Sequence, residues 1–227
     1  MSFKIERIPA PLWARPLIPL MAIVLTFVLT ATLILLANAN PLDAYYYFLI
    51  DPLSSRVSAI EVLVKATPLL LTGAAVTFAF VGGYWNIGVE GQLYAGATAA
   101  TAIGIHMQNV SAWIAIPLML IGGFVAGMLW ALVPALMKVK LAIDEVVTTL
   151  LLNSVALFMV SALLNGPWRN PISQWPQSPD IAATAIFPKL IPRSRLHLGF
   201  ILALVIIVIL WFVLTKPPLA SKCGRWD

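Results

Sequence analysis

Long, uninterrupted runs of apolar residues alternate with short polar stretches along most of the chain. A membrane-spanning helix needs about 20 consecutive apolar residues, whereas a half-buried strand alternates apolar and polar positions. The runs here are continuous and lack that alternation. They predict about six membrane-spanning helices, at Leu17–Ala37, Ile60–Val81, Gln92–Met107, Ala112–Met137, Val146–Leu164 and Leu196–Leu214.

Composition identifies lipid as the main solvent. Hydrophobic residues make up 61% of the 227 positions and charged residues only 10%, against about 25% charged in an average soluble domain. A chain with so little polar surface cannot face water all round. We therefore predict an all-α, polytopic membrane helical bundle. The first run is longer than the apolar core of a signal peptide, which favours an uncleaved helix.

The stretch GGYWNIGVEGQLYAGA, at Gly82–Ala97, interrupts the apolar pattern. Its glycines disfavour a continuous helix, so we predict a broken helix near residues 82–91. Broken backbone at membrane depth is tolerated only inside protein or beside a water-filled cavity. Two interpretations stay open: a re-entrant break within the bundle, or a cytoplasmic turn between two spans.

Polar side chains cluster at this break and again at the start of the fifth span, where Asp144 suits a helix N-cap. Because ionisable and polar groups at membrane depth are candidates for a functional site, we predict that these side chains line a substrate path. The candidates are Asn86, Glu90, Gln92, Thr148, Thr149 and Asn153. For Glu90 the alternative is an exposed residue in the first turn of a helix, where the helix dipole favours an acidic group.

Basic residues that flank the spans give an orientation, because short cytoplasmic loops carry an excess of Lys and Arg. The segment 1–16 carries three basic residues before the first span, which predicts a cytoplasmic N-terminus: Lys4, Arg7 and Arg15. The short turn after the fourth span agrees, since Lys138 and Lys140 then fall inside.

The largest loop, at residues 166–195, does not fit the excess of Lys and Arg in cytoplasmic loops, because the predicted orientation puts it outside although it is basic. Its basic residues are Arg169, Lys189, Arg193 and Arg195. The loop is rich in proline and shows little periodicity. It is either a surface loop with interfacial tryptophans or a docking surface for an external partner, and the sequence favours neither.

The sequence contains no recognisable catalytic, nucleotide-binding or nucleic-acid-binding motif. His106 and His197 are the only histidines and do not have metal-ligand spacing. The hydrolase, zinc-protease and Walker A patterns are missing, as is a basic groove interleaved with aromatic residues. A secondary transporter or channel, which also uses broken helices, stays an alternative. So does an intramembrane enzyme that uses Glu90 or His106.

Three segments resemble the permease subunits of ATP-binding-cassette (ABC) importers, in the branch for nucleosides and simple sugars. They are KATPLLLTGAAVTFAFVGGYWNIGVEGQLYAGA at Lys65–Ala97, DEVVTTLLLNSVA at Asp144–Ala156 and LLNGPW at Leu163–Trp168. The resemblance implies a transport subunit that is not an enzyme and binds no cofactor. It assigns residues 17–219 to the N-terminal part of the family's transmembrane domain.

The resemblance also implies partners and a location. A second permease subunit would complete the pore, and a separate cytoplasmic ABC ATPase would bind ATP and drive alternating access. An external substrate-binding lipoprotein would deliver the nucleoside or sugar. The protein would be a multi-pass protein of the inner cell membrane, in contact with lipid and not with nucleic acid.

The C-terminal residues depart from the family pattern. Members continue with a segment that reads roughly TPLGFQMRAVGENP, whereas this chain reads TKPPLASKCGRWD. One choice of codons for Ser221–Asp227, read in a shifted frame, gives Gln-Met-Arg-Ala-Val-Gly. We therefore expect residues 220–227 to be a frameshifted tail on a truncated permease that is not competent alone, and the nucleotide sequence tests this.

Overall fold

The computed structural model of the protein describes residues 14–170 and 173–216. This part is helical and contains no β-strand, which confirms the all-α class; Lys189 and His197 form an isolated β-bridge. The expected tail at residues 220–227 and most of segment 1–16 lie outside the described residues. The chain divides into two compact units, Met1–Val62 and Leu63–Asp227.

The first unit contains one long helix and a run of short helical segments. These are α1 (Ala14–Leu36), α2 (Pro41–Tyr45), a π-helix (Tyr46–Ile50) and α3 (Asp51–Ser54). The Tyr45 hydroxyl ties α2 to α1, because it donates to the carbonyl of Phe27 and shares a 2.8 Å hydrogen bond with the hydroxyl of Thr30.

The second unit holds the remaining helices, of which α4 begins in the first unit. They are α4 (Arg56–Val81), α5 (Val89–Ile105), α6 (Ala112–Leu141), α7 (Glu145–Asn165), a 3₁₀ turn (Ala183–Ala185) and α8 (Gly199–Thr215). By length and composition, α4, α6, α7 and Pro16–Leu36 of α1 can cross a membrane. The other two predicted spans are α5 and α8, with 17 residues each, at the lower limit of about 17 for a spanning helix.

Glycines let the backbones of α5 and α6 touch. A Cβ atom built on Gly96 would lie 2.9 Å from the carbonyl oxygen of Gly123, and one built on Gly123 would lie 3.2 Å from that of Gly96. One turn further along α6, a Cβ atom on Gly127 would lie 3.3 Å from the carbonyl oxygen of Gln92. Gly123 and Gly127 are spaced as a GxxxG motif, and the backbone of α5 packs directly against these two glycines. Small residues at such an interface are expected where packing drives helix association in lipid.

The loop after α7 returns to the end of α5 that lies opposite the break. The N–H of Ala182 donates to the carbonyl of Gly104 at 3.1 Å, and the hydroxyl of Thr184 donates to the carbonyl of Met107 at 3.0 Å. Ala185 is buried beside them. Part of the large loop is therefore a cap on the connection between α5 and α6, while its Trp175 stays exposed.

Replacing Gly96 with alanine should destabilise the α5–α6 contact, because the new methyl group would meet a backbone oxygen at 2.9 Å. We expect a loss of roughly 1–3 kcal/mol in the free energy of unfolding, measured in detergent micelles. The matched control is Gly73→Ala, at a helical glycine whose Cβ atom would have nothing within 4 Å. Equal losses for the two variants would contradict the close packing of α5 on α6.

Candidate functional site at the helix break

The predicted interruption of the helical pattern is present, since α4 ends at Val81 and α5 begins at Val89, and residues 82–88 with the first turn of α5 are called the break. Gly83 has a φ angle of 77°, in the left-handed region that glycine adopts without strain. Its N–H donates to the carbonyl of Phe80 at 3.0 Å, and the N–H of Tyr84 donates to that of Ala79 at 3.0 Å. These two bonds form a Schellman motif, which ends α4 at the paired glycines.

Two side chains of α7 bind the backbone of the break. The hydroxyl of Thr149 accepts from the N–H of Ile87 at 3.3 Å. Asn153 makes two bonds: its Oδ1 accepts from the N–H of Gly91 at 2.8 Å, and its Nδ2 donates to the carbonyl of Ile87 at 3.0 Å. Thr149 and Asn153 are four residues apart and therefore share one face of α7.

The hydrogen bond between Asn153 and the backbone of Gly91 replaces the side-chain N-cap that α5 lacks. The first N–H groups of a helix have no partner within the helix, and a side chain at the N-cap commonly supplies one. The N-cap residue here is Gly88, which has no side chain to offer. Asn153 therefore caps α5 from a neighbouring helix, through the N–H of Gly91.

Asn86 organises the break from within. Its Oδ1 accepts from the N–H of Gly88 at 2.9 Å and from the side-chain amide of Gln92 at 3.3 Å. Asn86 is 9% exposed, so these bonds satisfy a polar group that is shielded from solvent. The side chain of Gln92 is thereby connected to the turn that precedes its own helix.

Close approach of α7 requires glycine at two positions of the break. A Cβ atom on Gly88 would lie 2.8 Å from the Cβ atom of Thr149. One on Gly91 would lie 2.9 Å from the indole nitrogen of Trp130 and 3.0 Å from Oδ1 of Asn153. The two polar segments that the sequence singled out, NIGVEGQ and TTLLLN, are therefore two sides of one contact.

A charged pair flanks this contact at the turn between α6 and α7. Lys138 forms an ion pair with Glu145, and the N–H of Trp85 lies 3.5 Å from the Oε1 atom of Glu145. The Lys138 ammonium also lies 5.3 Å from the centre of the Tyr84 ring. Burial raises the pKa of the Tyr84 hydroxyl above its ordinary value, and the negative charge of Glu145 raises it further. Asp144 caps α7, as predicted, by accepting from the N–H groups of Val146 and Val147.

Glu90 and Thr148 stand apart from the contact. Glu90 is exposed in the first turn of α5, which is where the alternative interpretation placed it. Thr148 is buried, and its hydroxyl donates to carbonyls of its own helix, those of Asp144 and Glu145, at 3.0 and 3.2 Å. Of the six candidates, the structure thus brings together Asn86, Gln92, Thr149 and Asn153.

A cavity of about 350 Å³ lies between α4, α5 and α6, next to the break. Gln92 and Thr72 are the polar side chains in its lining, which otherwise consists of apolar residues and glycines. Its volume falls at the low end of the range of about 300–1,000 Å³ for small-molecule sites. Sequence reasoning missed Thr72, because this residue lies within an ordinary apolar run.

Replacing Thr149 with valine should loosen the break, since the change keeps the shape of the side chain but leaves the N–H of Ile87 without its acceptor. Loss of a typical hydrogen bond costs about 0.5–1.5 kcal/mol, so we expect faster hydrogen exchange at the Ile87 amide. Thr148→Val is the matched control, because that hydroxyl bonds only within α7. The interpretation would be wrong if both variants exchanged at the same rate at Ile87.

Comparison with known proteins gives the family. The model for "Branched-chain amino acid transport system / permease component" matches residues 58–225. The glucose ABC transporter permease protein of Haloferax volcanii is 33% identical over 93% of this chain and 58% of its own length. The guanosine ABC transporter permease protein of Bacillus subtilis is 34% identical over 88% of this chain and 58% of its own length.

A third relative, the nucleoside ABC transporter permease protein of Lactococcus lactis subsp. cremoris, is 31% identical over 92% of this chain and 59% of its own length. The chain thus spans a little under three fifths of these relatives. No solved structure matches it. Because the family model covers well over half of the chain and includes both sides of the contact between the break and α7, the protein belongs to the family of ABC transport permease components and is a multi-pass membrane protein.

Proposed function

We propose that this chain forms part of the translocation path of an ABC importer that carries nucleosides or simple sugars. The observation that carries the proposal is the broken helix, whose polar side chains lie beside a cavity in an otherwise apolar bundle. The printed names of the relatives support the substrate class, since they refer to glucose, guanosine and nucleosides. Residues along the path are drawn from Asn86, Glu90, Gln92, Thr148, Thr149 and Asn153.

The chemistry of the break suits solutes rich in hydroxyl and amide groups. Side-chain amides such as those of Gln92 and Asn86 offer both donors and an acceptor. A neutral sugar or nucleoside presents many such groups and must exchange its bonds to water for bonds to protein as it crosses. An unbroken apolar helix could not supply those partners.

The proposed complex includes the partners that the family membership implies in general. ATP would be bound and hydrolysed by a cytoplasmic ABC ATPase, so this chain would need no cofactor and would catalyse no reaction. A second permease subunit would complete the pore, and an external lipoprotein would bind and deliver the substrate. With the N-terminus in the cytoplasm, the break and the turn between α6 and α7 would face inside, and the loop at residues 166–195 would face outside.

A secondary transporter is the second candidate, because broken helices near the membrane centre also characterise that class. The alternative of an intramembrane enzyme has less support. Glu90 lies in the first turn of α5 and His106 caps its last turn, so about 24 Å of helix separates them. Glu90 and His106 therefore cannot form a catalytic pair with each other, and each would need a different partner.

Energy coupling separates the two transport candidates. We expect disruption of the gene to abolish uptake of radiolabelled guanosine or glucose in the source cells, and depletion of ATP to abolish it in intact cells. An ionophore that dissipates ion gradients should leave the uptake in place when ATP is maintained. Uptake that survives ATP depletion and stops with the ionophore would instead identify a secondary transporter.

The orientation is tested by single cysteines after Cys223 is replaced with serine. Lys140→Cys and Gln177→Cys place a thiol at two exposed positions on opposite sides of the predicted topology. We expect a membrane-impermeant maleimide to label position 177 in intact cells, and to label position 140 only after the membrane is opened. The reverse pattern would place the N-terminus outside.

A further inference from the structure

We propose that Gln92 hydrogen-bonds the transported molecule and that Asn86, Thr149 and Asn153 are positioning residues. In this division of roles, the three positioning side chains fix the broken backbone, and Gln92 faces the solute in the cavity between α4, α5 and α6. The inference rests on the proposed function and deepens it, because it separates the residues that build the site from the one that contacts the substrate.

Thr149 and Asn153 have committed all their polar side-chain atoms to the protein, and Asn86 has committed its oxygen, to Gly88 and Gln92. Both the oxygen and the nitrogen of the Asn153 amide bond to the backbone of the break. The Thr149 hydroxyl accepts from Ile87, donates to the carbonyl of Glu145 at 2.6 Å and is 0% exposed. A solute could bond to these atoms only by displacing existing bonds, and each group left unpaired costs about 1–3 kcal/mol.

Gln92 has bonding capacity to spare. Its amide has two N–H donors and one oxygen acceptor, and among the described residues its side chain has one hydrogen bond, from Nε2 to Oδ1 of Asn86 at 3.3 Å. Gln92 is half-buried and lines the cavity. The bond to Asn86 restricts the amide without using its oxygen, so a donor on the solute can reach that oxygen.

The backbone at Gln92 is held from two sides. Asn153 holds the preceding residue, Gly91, through its N–H. Across the interface with α6, the carbonyl of Gln92 packs so closely on Gly127 that a Cβ atom there would lie 3.3 Å away. A contact residue on so rigid a support loses little conformational freedom when the solute binds, which favours affinity.

The lining of the cavity indicates an uncharged solute. Its described residues include no charged side chain, and its polar contribution comes from Gln92 and from Thr72 of α4. The Thr72 hydroxyl donates to the carbonyl of Pro68 at 2.9 Å, which leaves its oxygen able to accept. A charged solute would lose its hydration in this cavity without an opposite charge to replace it. Neutral nucleosides or sugars therefore fit, and their phosphorylated forms do not.

The test measures binding and backbone protection on the same variants of the full chain in lipid nanodiscs. The probes are radiolabelled guanosine, uridine, glucose and ribose, with guanosine monophosphate as the charged comparison. Binding is measured by equilibrium dialysis, and hydrogen exchange is followed at the amides of Ile87 and Gly91. The variants are Gln92→Ala and Asn153→Leu, and the matched control is Gln108→Ala, at an exposed glutamine beyond the other end of α5.

We expect Gln92→Ala to weaken binding of the neutral probe by roughly five- to tenfold, the loss of about one hydrogen bond, with unchanged exchange at both amides. Asn153→Leu should weaken binding and also speed exchange at Gly91, because it removes the acceptor for that N–H. Gln108→Ala should change neither quantity, and guanosine monophosphate should bind more weakly than guanosine.

Three results would overturn the inference. If the unaltered chain binds a neutral probe and Gln92→Ala binds it equally well, Gln92 is not the contact, although the proposed function stands. If Gln92→Ala speeds exchange at Ile87 and Gly91 as much as Asn153→Leu does, Gln92 is itself a structural residue. If the unaltered chain binds none of the four neutral probes, the inference fails, whereas the proposed function is decided separately by the dependence of uptake on ATP.

Discussion

A backbone that leaves helical geometry frees N–H and carbonyl groups, which then need partners from elsewhere in the protein. The break between α4 and α5 creates this problem, and its partial solution comes from another helix. Thr149 and Asn153 of α7 bind the N–H and carbonyl of Ile87 and the N–H of Gly91. Without these bonds the N–H and carbonyl of Ile87 and the N–H of Gly91 would lose their partners, and a typical hydrogen bond contributes about 0.5–1.5 kcal/mol to stability.

The close contacts of α5 with both α6 and α7 explain its composition. This helix packs on α6 through Gly96, Gly123 and Gly127, and it meets α7 through Gly88 and Gly91. A helix with close neighbours on two faces needs small residues on both, which leaves little room for the large apolar side chains that mark a lipid-facing span. The short and weakly apolar character of this segment therefore follows from its central place between α6 and α7.

Local signals in the sequence were sufficient for the long helices and for the break, but they did not predict the short helical segments at residues 41–54. Continuous apolar runs predict spans because lipid contact requires them, and Gly82-Gly83 predicts the interruption because two adjacent glycines are costly inside a helix. Which polar side chains reach the break depends on how the helices pack against each other, and a local sequence pattern does not contain that information. Thr148 and Thr149 are adjacent and both buried, yet only Thr149 reaches the break, because one residue turns the side chain by about 100° around the helix.

Glu90 illustrates the same limit, since its charge made it the most conspicuous candidate and its place in the first turn left it exposed. Thr72 and the pair formed by Lys138 and Glu145 depend on which helices become neighbours, and no segment taken alone contains that information. Sequence could therefore locate the polar groups but could not divide them into those that hold the backbone and those that face the cavity.

The bonds that secure the break also determine which walls of the cavity are fixed. One side is formed by α5 and α6, which pack through backbone contacts, and α5 is bonded in turn to α7. The other side is formed by α4, which connects to α5 through residues 82–88, with Gly83 as the position of greatest backbone freedom. The bonds that satisfy the broken backbone therefore hold the α5 wall of the cavity through α7, and within the described residues the bonds of Thr149 and Asn153 to the break reach residues 87 and 91 and not α4.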